Sequence, residues 1–409
     1  MKILNLGSCN IDFVYSLDHI VEVGETENAS LLELFPGGKG LNQSIAVARA
    51  GAPVYHAGCV GHDGEILINT LIAAGVDVSY IKETDTKSGH AIIQVSAKGE
   101  NSIVIFAGSN DMVTKDYIDT VLADFGKGDM LILQNEISNI DYAVDKAHEK
   151  NMIILFNPSP INEKINTVDF NKLSYIILNE IEARAFSGCD DPHESLAYFK
   201  SKYPGLKVML TLGTDGCIFS DGKTELCQSA FSVTAVDTTA AGDTFTGYFA
   251  AGIYNGDCFA DILRTASAAS AIAVSKMGAA PSIPKRDEVE EKIGIFKEIG
   301  DGGKRDYLIK SINSYITGNI KNADLDGLSE FLGYSVVYTG RLTKELTGKS
   351  FSKLLQSKRC SIAAELLLNT NMPVSEIIRS IGYENENFFR KIFVDKYGKT
   401  PLAFRKHRN

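Results

Sequence analysis

A regular alternation of short apolar runs and longer amphipathic stretches stops near residue 300, and that break limits what this 409-residue chain can fold into. Before it, runs such as Lys2 to Leu6, Met130 to Leu133, Ile153 to Phe156, Tyr175 to Leu178, Lys207 to Leu212 and Cys217 to Ser220 read as strands. Between them fall helical stretches such as Leu41 to Ala50, Gly64 to Ala74, Ile140 to Glu149 and Ala241 to Tyr254. The alternation predicts an α/β domain with a mostly parallel sheet covered on both faces. Ala91 to Val95 and Ser102 to Phe106 flank the turn Lys98-Gly99-Glu100-Asn101 and predict a β hairpin, a flap outside the main sheet. Beyond the break only helical patterns remain, so an all-α domain follows. The charged helical stretch Lys285 to Glu298 and the cluster Gly300-Asp301-Gly302-Gly303 mark a linker and boundary over residues 287–303.

Charge divides the chain at the same place. The net charge is −10, yet Lys304 to Asn409 carry 18 Lys and Arg against 10 Asp and Glu. That stretch is therefore basic by about +8 and the rest acidic by about −18, so the two parts suit different partners. The seven cysteines are odd in number and scattered without a CxxC pair, a pattern that suggests neither a disulfide framework nor a thiolate zinc site. No apolar stretch approaches the roughly 20 residues that span a bilayer. The start, Met1-Lys2-Ile3-Leu4-Asn5-Leu6-Gly7, reads as a buried strand rather than a signal peptide. The expectation is a cytoplasmic protein without a membrane partner.

Four segments carry chemistry. In Val236-Asp237-Thr238-Thr239-Ala240-Ala241-Gly242-Asp243-Thr244-Phe245 small residues open a helix, so backbone N–H groups can close around a phosphate beside Asp243. A strand-to-helix turn with Asp as its cap would use the same residues. In Phe35-Pro36-Gly37-Gly38-Lys39-Gly40-Leu41-Asn42-Gln43 glycines admit close backbone approach, and Lys39 and Asn42 supply donors; the spacing is not that of a P-loop. Asn179 and Glu182 share the first helical turn after an apolar strand, where they can hold a hydrated Mg²⁺ or simply cap the helix. Thr211-Leu212-Gly213-Thr214-Asp215-Gly216 is a strand entering a tight turn, suited to the ribose and phosphates of a nucleotide or to no ligand.

In this order the segments resemble the ribokinase family of sugar kinases, over residues 1–286. Gly7-Ser8-Cys9-Asn10-Ile11-Asp12, Gln134-Asn135-Glu136 and Gly278-Ala279-Ala280-Pro281-Ser282 extend the match. The resemblance implies a three-layer ribokinase-like fold whose β hairpin is a lid over the sugar, with lids pairing in a homodimer. It implies a sugar pocket of Asn10, Asp12, Gly38, Lys39, Asn42 and Glu136, selecting ribose or a related sugar, and ATP over Asn179, Glu182, Thr211, Gly213, Asp215, Gly216 and Gly242. Asp243 would be the catalytic base, with Ala240, Ala241 and Gly242 completing an anion hole. Asp237, Thr239, Ala273, Lys276, Gly278 and Ser282 would form a K⁺ site built mostly from carbonyls. Ser267 stands where the family often has His beside the adenine. A regulator that binds sugar without turnover, or a kinase for another sugar or nucleoside, is the competing reading.

Residues 304–409 contain two helix-turn-helix patterns. Leu328 to Tyr334 precedes Val336 to Thr347, and Val374 to Tyr383 precedes Glu386 to Tyr397; Ser352 to Leu368 joins them. A plain helical hairpin would give either pattern alone. The Gly-Tyr turns Gly333-Tyr334 and Gly382-Tyr383, together with Thr347 to Phe351 and Gly398-Lys399-Thr400-Pro401, resemble AraC-type transcription regulators. That resemblance implies double-stranded DNA as partner, contacted by Tyr338, Thr339, Arg341, Lys344, Asn387, Arg390 and Lys391. Phe331, Tyr334, Leu342, Tyr383, Phe389 and Phe393 are expected core residues.

Overall fold

A computed structural model describes residues 1–98, 100–296, 301–332, 334 and 336–406; Gly99, Gly300 and Gly333 lie outside the described residues, as do the side chains of residues 301–307, Tyr338 and Glu345. The chain divides into two compact units, Met1–Ile299 and Gly300–Asn409.

In the first unit nine strands form one sheet. Their order is Glu225–Gln228, Cys217–Ser220, Lys207–Thr211, Tyr175–Asn179, Ile153–Asn157, Met130–Gln134, Ile3–Leu6, Val54–Val60, Asp77–Glu83. From Lys207–Thr211 to Asp77–Glu83 all neighbours are parallel, and Cys217–Ser220 turns the other edge antiparallel. Successive side chains enter different cores: Ile3, Met130, Ile132 and Ile177 one, Leu4, Leu131, Leu133 and Ile176 the other. Burial on both faces is why these strands read as continuous apolar runs. The chain leaves Ile3–Leu6 toward Val54–Val60 and only later returns to pair Met130–Gln134 on the opposite side. The crevice at the carboxyl ends beside such a reversal is where open α/β sheets bind ligands.

Helices Lys39–Arg49 and Ala241–Asn255 cross close together over this point. A Cβ at Gly247 would lie 2.3 Å from that of Ala46, so glycine permits the approach. The crossing brings Asn42 and Gln43 to Asp243.

A second sheet has the order Leu31–Gly37, Asn10–Leu17, Gly89–Ser96, Asn101–Phe106. The expected hairpin is present, with Gly89–Ser96 antiparallel to Asn101–Phe106. Two further strands, Asn10–Leu17 and Leu31–Gly37, were not foreseen, because Asp12, Ser16 and Glu33 interrupt their apolar runs and no tight turn joins them. Register places Phe13, Leu34, Ile92 and Val104 on one face and Asp12, Ile93, Ile103 and Ile105 on the other.

The stretch expected to link the domains forms the helix Arg286–Ile293 within the first unit, where Val289 is fully buried in the core. Nor do Asp301-Gly302-Gly303 interrupt the chain: they start the helix Asp301–Gly318. Glycine costs a helix about 1 kcal/mol per residue, and buried Leu308, Ile312 and Ile316 farther along outweigh it.

The second unit continues with helices Leu325–Leu332, Val336–Thr347, Phe351–Asn369, Val374–Ser380, Glu386–Tyr397 and Pro401–Arg405. The long helix Phe351–Asn369 gives Phe351 and Leu355 to one core and Cys360, Ala363 and Leu367 to a second. Leu342, Phe389 and Phe393 are buried as expected, and Phe331, Tyr334 and Tyr383 pack half-buried against these cores. Gly382 must be glycine: its φ is 86° and a Cβ would lie 2.1 Å from the Lys321 carbonyl oxygen.

Candidate functional site

Side chains from several elements meet in the crevice beside Ile3–Leu6. Helix Ala241–Asn255 begins without a side-chain cap, so the amides of its first turn have no intrahelical partner and suit an anion. A Cβ at Gly242 would meet nothing within 4 Å, so the backbone there borders open space. Asp243 is only 4% exposed. Its Oδ2 accepts from Asn42 Nδ2 and its Oδ1 from Gln43 Nε2, each at 3.0 Å. Two successive residues of one helix thus hold both oxygens.

Glu136, just past Met130–Gln134, accepts from the Ser8 hydroxyl and from the Lys39 backbone N–H at 3.0 Å. Burial raises its carboxyl above the ordinary range, with Lys39 opposing. For Lys39, burial works to lower the ammonium, but Asp243, Glu136 and Glu182 together leave it above its usual value. Burial, and then Glu136, push Asp12 up to about 7. A Cβ at Gly37 would fall 2.1 Å from Asp12 Oδ2, and Gly38 has φ 93°, so the glycine pair is required where helix Lys39–Arg49 begins. Asn10 Oδ1 accepts from Asn110 Nδ2 at 2.7 Å, and Asn110 Oδ1 accepts from the Cys9 backbone N–H at 3.1 Å. Asn10 is thereby left with its amide nitrogen to offer. Asn42 Oδ1 is buried without a hydrogen-bond partner. Carboxylates, amides and one ammonium gathered in one largely buried cluster fit a polyhydroxyl ligand.

Gly242 also lines a cleft of about 590 Å³ with Ala241, Asn179, Thr211, Gly213, Thr214, Gly216, Ser267 and apolar Ala230, Phe231, Val233, Ala271 and Val274. Gly216 has φ 94°, and a Cβ would lie 2.0 Å from the Gln228 carbonyl oxygen. The Ser267 hydroxyl stands 3.6 Å from Cys217 Sγ. Asp215 departs from expectation: it is exposed and outside the lining, because in the tight turn Gly213–Asp215 it is Thr214 that reaches the cleft. Ala240 is buried and likewise outside the lining. Phe231 and Val233 escaped the sequence reading, since the alternation Phe231-Ser232-Val233-Thr234-Ala235 reads as a strand face rather than as the wall of a cleft.

Asn179 and Glu182 form a reciprocal cap: Glu182 N–H donates to Asn179 Oδ1 at 2.8 Å and Asn179 N–H to Glu182 Oε2 at 3.0 Å. The cap occupies one oxygen of Glu182. Asp237 accepts from the backbone N–H groups of Thr239 and Gly278, each at 2.9 Å, which ties the loop before Asp243 to the turn after helix Phe259–Val274. The Ala273 carbonyl is joined to that turn by the Lys276 N–H. The Lys276 ammonium instead pairs with Glu288 at 2.8 Å, and the buried Ser282 hydroxyl donates to the Ala279 carbonyl. Among the described residues no three His, Cys, Asp or Glu side chains form a metal cluster.

In the second unit Arg341 and Lys344 are exposed on Val336–Thr347, and Asn387, Arg390 and Lys391 on Glu386–Tyr397, opposite buried Phe389 and Phe393. Arg390 also pairs with Glu386 at 3.2 Å. Thr339 does not face outward: it is fully buried, and Thr343 Oγ1 donates to its carbonyl at 2.7 Å. One helical position turns a side chain by about 100°, enough to take Thr339 from the outer face to the inner one. Val337 at 85% and Phe388 at 52% exposure were missed, because apolar residues in a helix read as core. No helix among the described residues is long and apolar enough to cross a membrane.

Residues 1–286 match the pfkB family carbohydrate kinase model, and residues 328–407 match a helix-turn-helix domain. The ribokinase of Bacillus subtilis (strain 168) is 37% identical over 292 residues, covering 70% of this chain and 97% of that protein. The crystal structure of ribokinase from Cryptococcus neoformans var. grubii serotype A in complex with ADP is similar at 34% identity and a TM-score of 0.62, covering 71% of this chain and 99% of that one. Arabidopsis thaliana ribokinase complexed with ribose and ATP is similar at 26% identity and a TM-score of 0.65, covering 71% and 98%. The chain belongs to the pfkB family of carbohydrate kinases, and it carries in addition a helix-turn-helix domain of the AraC type.

Proposed function

We propose that the first unit transfers the γ-phosphoryl group of ATP to the primary hydroxyl of ribose or a close relative, with Asp243 as general base, and that the second unit binds double-stranded DNA. The observation that carries the first part is the Asp243 carboxylate, held at the uncapped start of a helix by Asn42 and Gln43, next to Gly242 at the wall of a nucleotide-sized cleft. The relatives at 34–37% identity are ribokinases, which supports ribose as the substrate.

Phosphoryl transfer gains most of its rate from positioning and charge stabilisation. Asp12, Asn10, Gly38, Lys39, Asn42 and Glu136 hold the sugar hydroxyls, and the unpaired Asn42 Oδ1 accepts one of them. Asp243 takes the proton of the attacking hydroxyl. The first-turn amides of Gly242 and Asp243 meet the charge that develops on the phosphoryl oxygens, while the Ala241 N–H holds the Thr238 carbonyl. Mg²⁺, when bound, neutralises phosphate oxygens; Asn179 and the second carboxylate oxygen of Glu182 are the groups that would hold its water shell. K⁺, when bound, orders the loop before Asp243; carbonyls of the segments around Asp237, Thr239, Ala273, Lys276, Gly278 and Ser282 would hold it.

Apolar residues on both faces of the four-stranded sheet support a homodimer through the lid, one face serving the sugar and the other a partner. A basic domain of paired helix-turn-helix motifs supports a cytoplasmic regulator whose DNA binding answers to sugar and nucleotide.

ADP formation measured over a panel of sugars tests the kinase. Ribose is expected to turn over fastest, and Asp243→Asn to retain less than about 1% of that rate with sugar binding nearly unchanged, since general-base catalysis supplies about 100-fold or more. A higher residual rate removes Asp243 from its role. Ribose binding without turnover in the unaltered chain marks a sensor instead.

A further inference from the structure

Behind Asp243 lies a layer of buried amides that catalysis as described does not use. Gln43 Nε2 donates to Asp243 Oδ1 at 3.0 Å and to Asn157 Oδ1 at 3.1 Å, and Asn157 Nδ2 donates to the Ile177 carbonyl at 3.0 Å. Gln134 Nε2 donates to Gln43 Oε1 at 2.7 Å and to Asn5 Oδ1 at 2.8 Å. Asn5 Nδ2 in turn donates to the Gly40 carbonyl at 2.8 Å and to Ser44 Oγ at 2.9 Å. Ser44 then meets His56 Nδ1 at 2.8 Å.

The direction of every bond among the amides is determined. A carboxylate oxygen and the carbonyls of Gly40 and Ile177 can only accept, so each amide between them has one orientation. Both N–H groups of Gln43, Gln134 and Asn5 are in use, and turning any of these amides over would bring oxygen against oxygen. Complete burial holds His56, at the end of this relay, neutral, its imidazole pushed down to about 3. Apolar side chains would fill this layer at least as well for stability. One atom, Gln134 Oε1, even lacks a partner.

We infer that Gln43 is a positioning residue for the Asp243 carboxylate, locked by the relay through Gln134 and Asn5 so that the base presents a fixed edge to the sugar hydroxyl. The inference rests on Asp243 being the general base. With Asn42 on one oxygen and Gln43 on the other, the carboxylate cannot rotate, and a misplacement of about 1 Å in such a site costs on the order of 100-fold in rate.

The isosteric change Gln43→Glu tests it in the full-length chain, with Asp243→Asn beside it and with steady-state kcat and ribose KM measured from pH 5.5 to 8.5. The other titratable groups of the layer and pocket, Lys39, Glu136, Asp12 and His56, are common to all variants. The expected result is a ribose KM close to wild type, a kcat reduced about 30-fold or more at pH 8, and a melting temperature lowered at pH 8 by the second buried carboxylate and recovering toward wild type at pH 5.5. The ratio of variant to wild-type kcat rises as pH falls, because the introduced carboxyl, once protonated, donates to Asp243 Oδ1 again. Gln43→Asn, which withdraws the donor by one methylene, lowers kcat at every pH without that recovery.

A kcat near wild type for Gln43→Glu at pH 8, or a reduced ratio that does not change with pH, overturns the inference. So does loss of folding in both variants, which would make the layer a requirement of the fold alone. If Asp243→Asn is inactive while Gln43→Glu behaves as wild type, only the positioning role fails. If Asp243→Asn stays active, or the unaltered chain turns over no sugar, the general-base reading fails and this inference with it.

Discussion

Asp12 shows how binding and stability oppose each other within one residue. Its carboxyl, ordinarily near 3.8, is pushed up to about 7 by burial and by Glu136. In the window between those values the folded chain keeps a proton that the unfolded chain has lost. Stability therefore falls as pH rises through the window, and above about 7 the full cost of the buried charge is present. Asp12→Asn removes that cost. It is expected to melt above wild type at pH 8, with the gap closing near pH 4, and to raise the ribose KM about tenfold or more, since a hydrogen bond to a charged group is worth about 1.5–3 kcal/mol. Calorimetry at the two pH values checks the first part; equal melting temperatures at pH 8 would mean that Asp12 carries no buried charge. Asp243, Lys39, Asn42 and Glu136 were legible in the sequence because their chemistry sits in compact motifs. Gln43, Asn110 and His56 were not, since their partners lie far off in sequence, as Asp243 does from Gln43 and Asn10 from Asn110. Thr339 and Asp215 were misplaced for a smaller reason: one residue along a turn changes the direction of a side chain.

Among the elements, the central strands were readable because burial on both faces leaves unbroken apolar runs. The lid was half readable. Its hairpin has a turn signal, whereas Asn10–Leu17 and Leu31–Gly37 interleave Asp12, Ser16 and Glu33 with apolar residues and pair across a gap of more than a dozen residues. The helix Arg286–Ile293 was read as a linker because six of its eight residues are charged; only Val289 and Ile293 reveal its docking. On the lid, Val104 is 63% and Ile105 58% exposed, on opposite faces of one strand. Apolar exposure on that scale calls for a cover on each side. Sedimentation velocity is expected to find a dimer at micromolar concentration, and Val104→Lys to raise its dissociation constant about tenfold or more, a loss of about 1.4 kcal/mol. A monomer at tens of micromolar, with or without ribose, would leave the lid without the proposed partner.

For the molecule as a whole, the division foretold by pattern and charge near residue 300 coincides with the division into two compact units, an acidic sugar kinase and a basic helix-turn-helix domain. The regulatory reading requires that these two activities be linked, and linkage is reciprocal: a ligand that alters DNA affinity must itself be bound differently when DNA is present. Exposed Arg341, Lys344, Arg390 and Lys391 predict binding that weakens steeply with salt, as released counterions do. The most direct measurement is a fluorescence anisotropy titration of the full-length chain on duplex DNA selected by the chain itself, at fixed salt, with and without ribose, ATP and Mg²⁺. The account predicts salt-dependent binding whose affinity changes about fivefold or more when sugar and nucleotide are added. Failure to bind duplex DNA, or one affinity under both conditions, would contradict it.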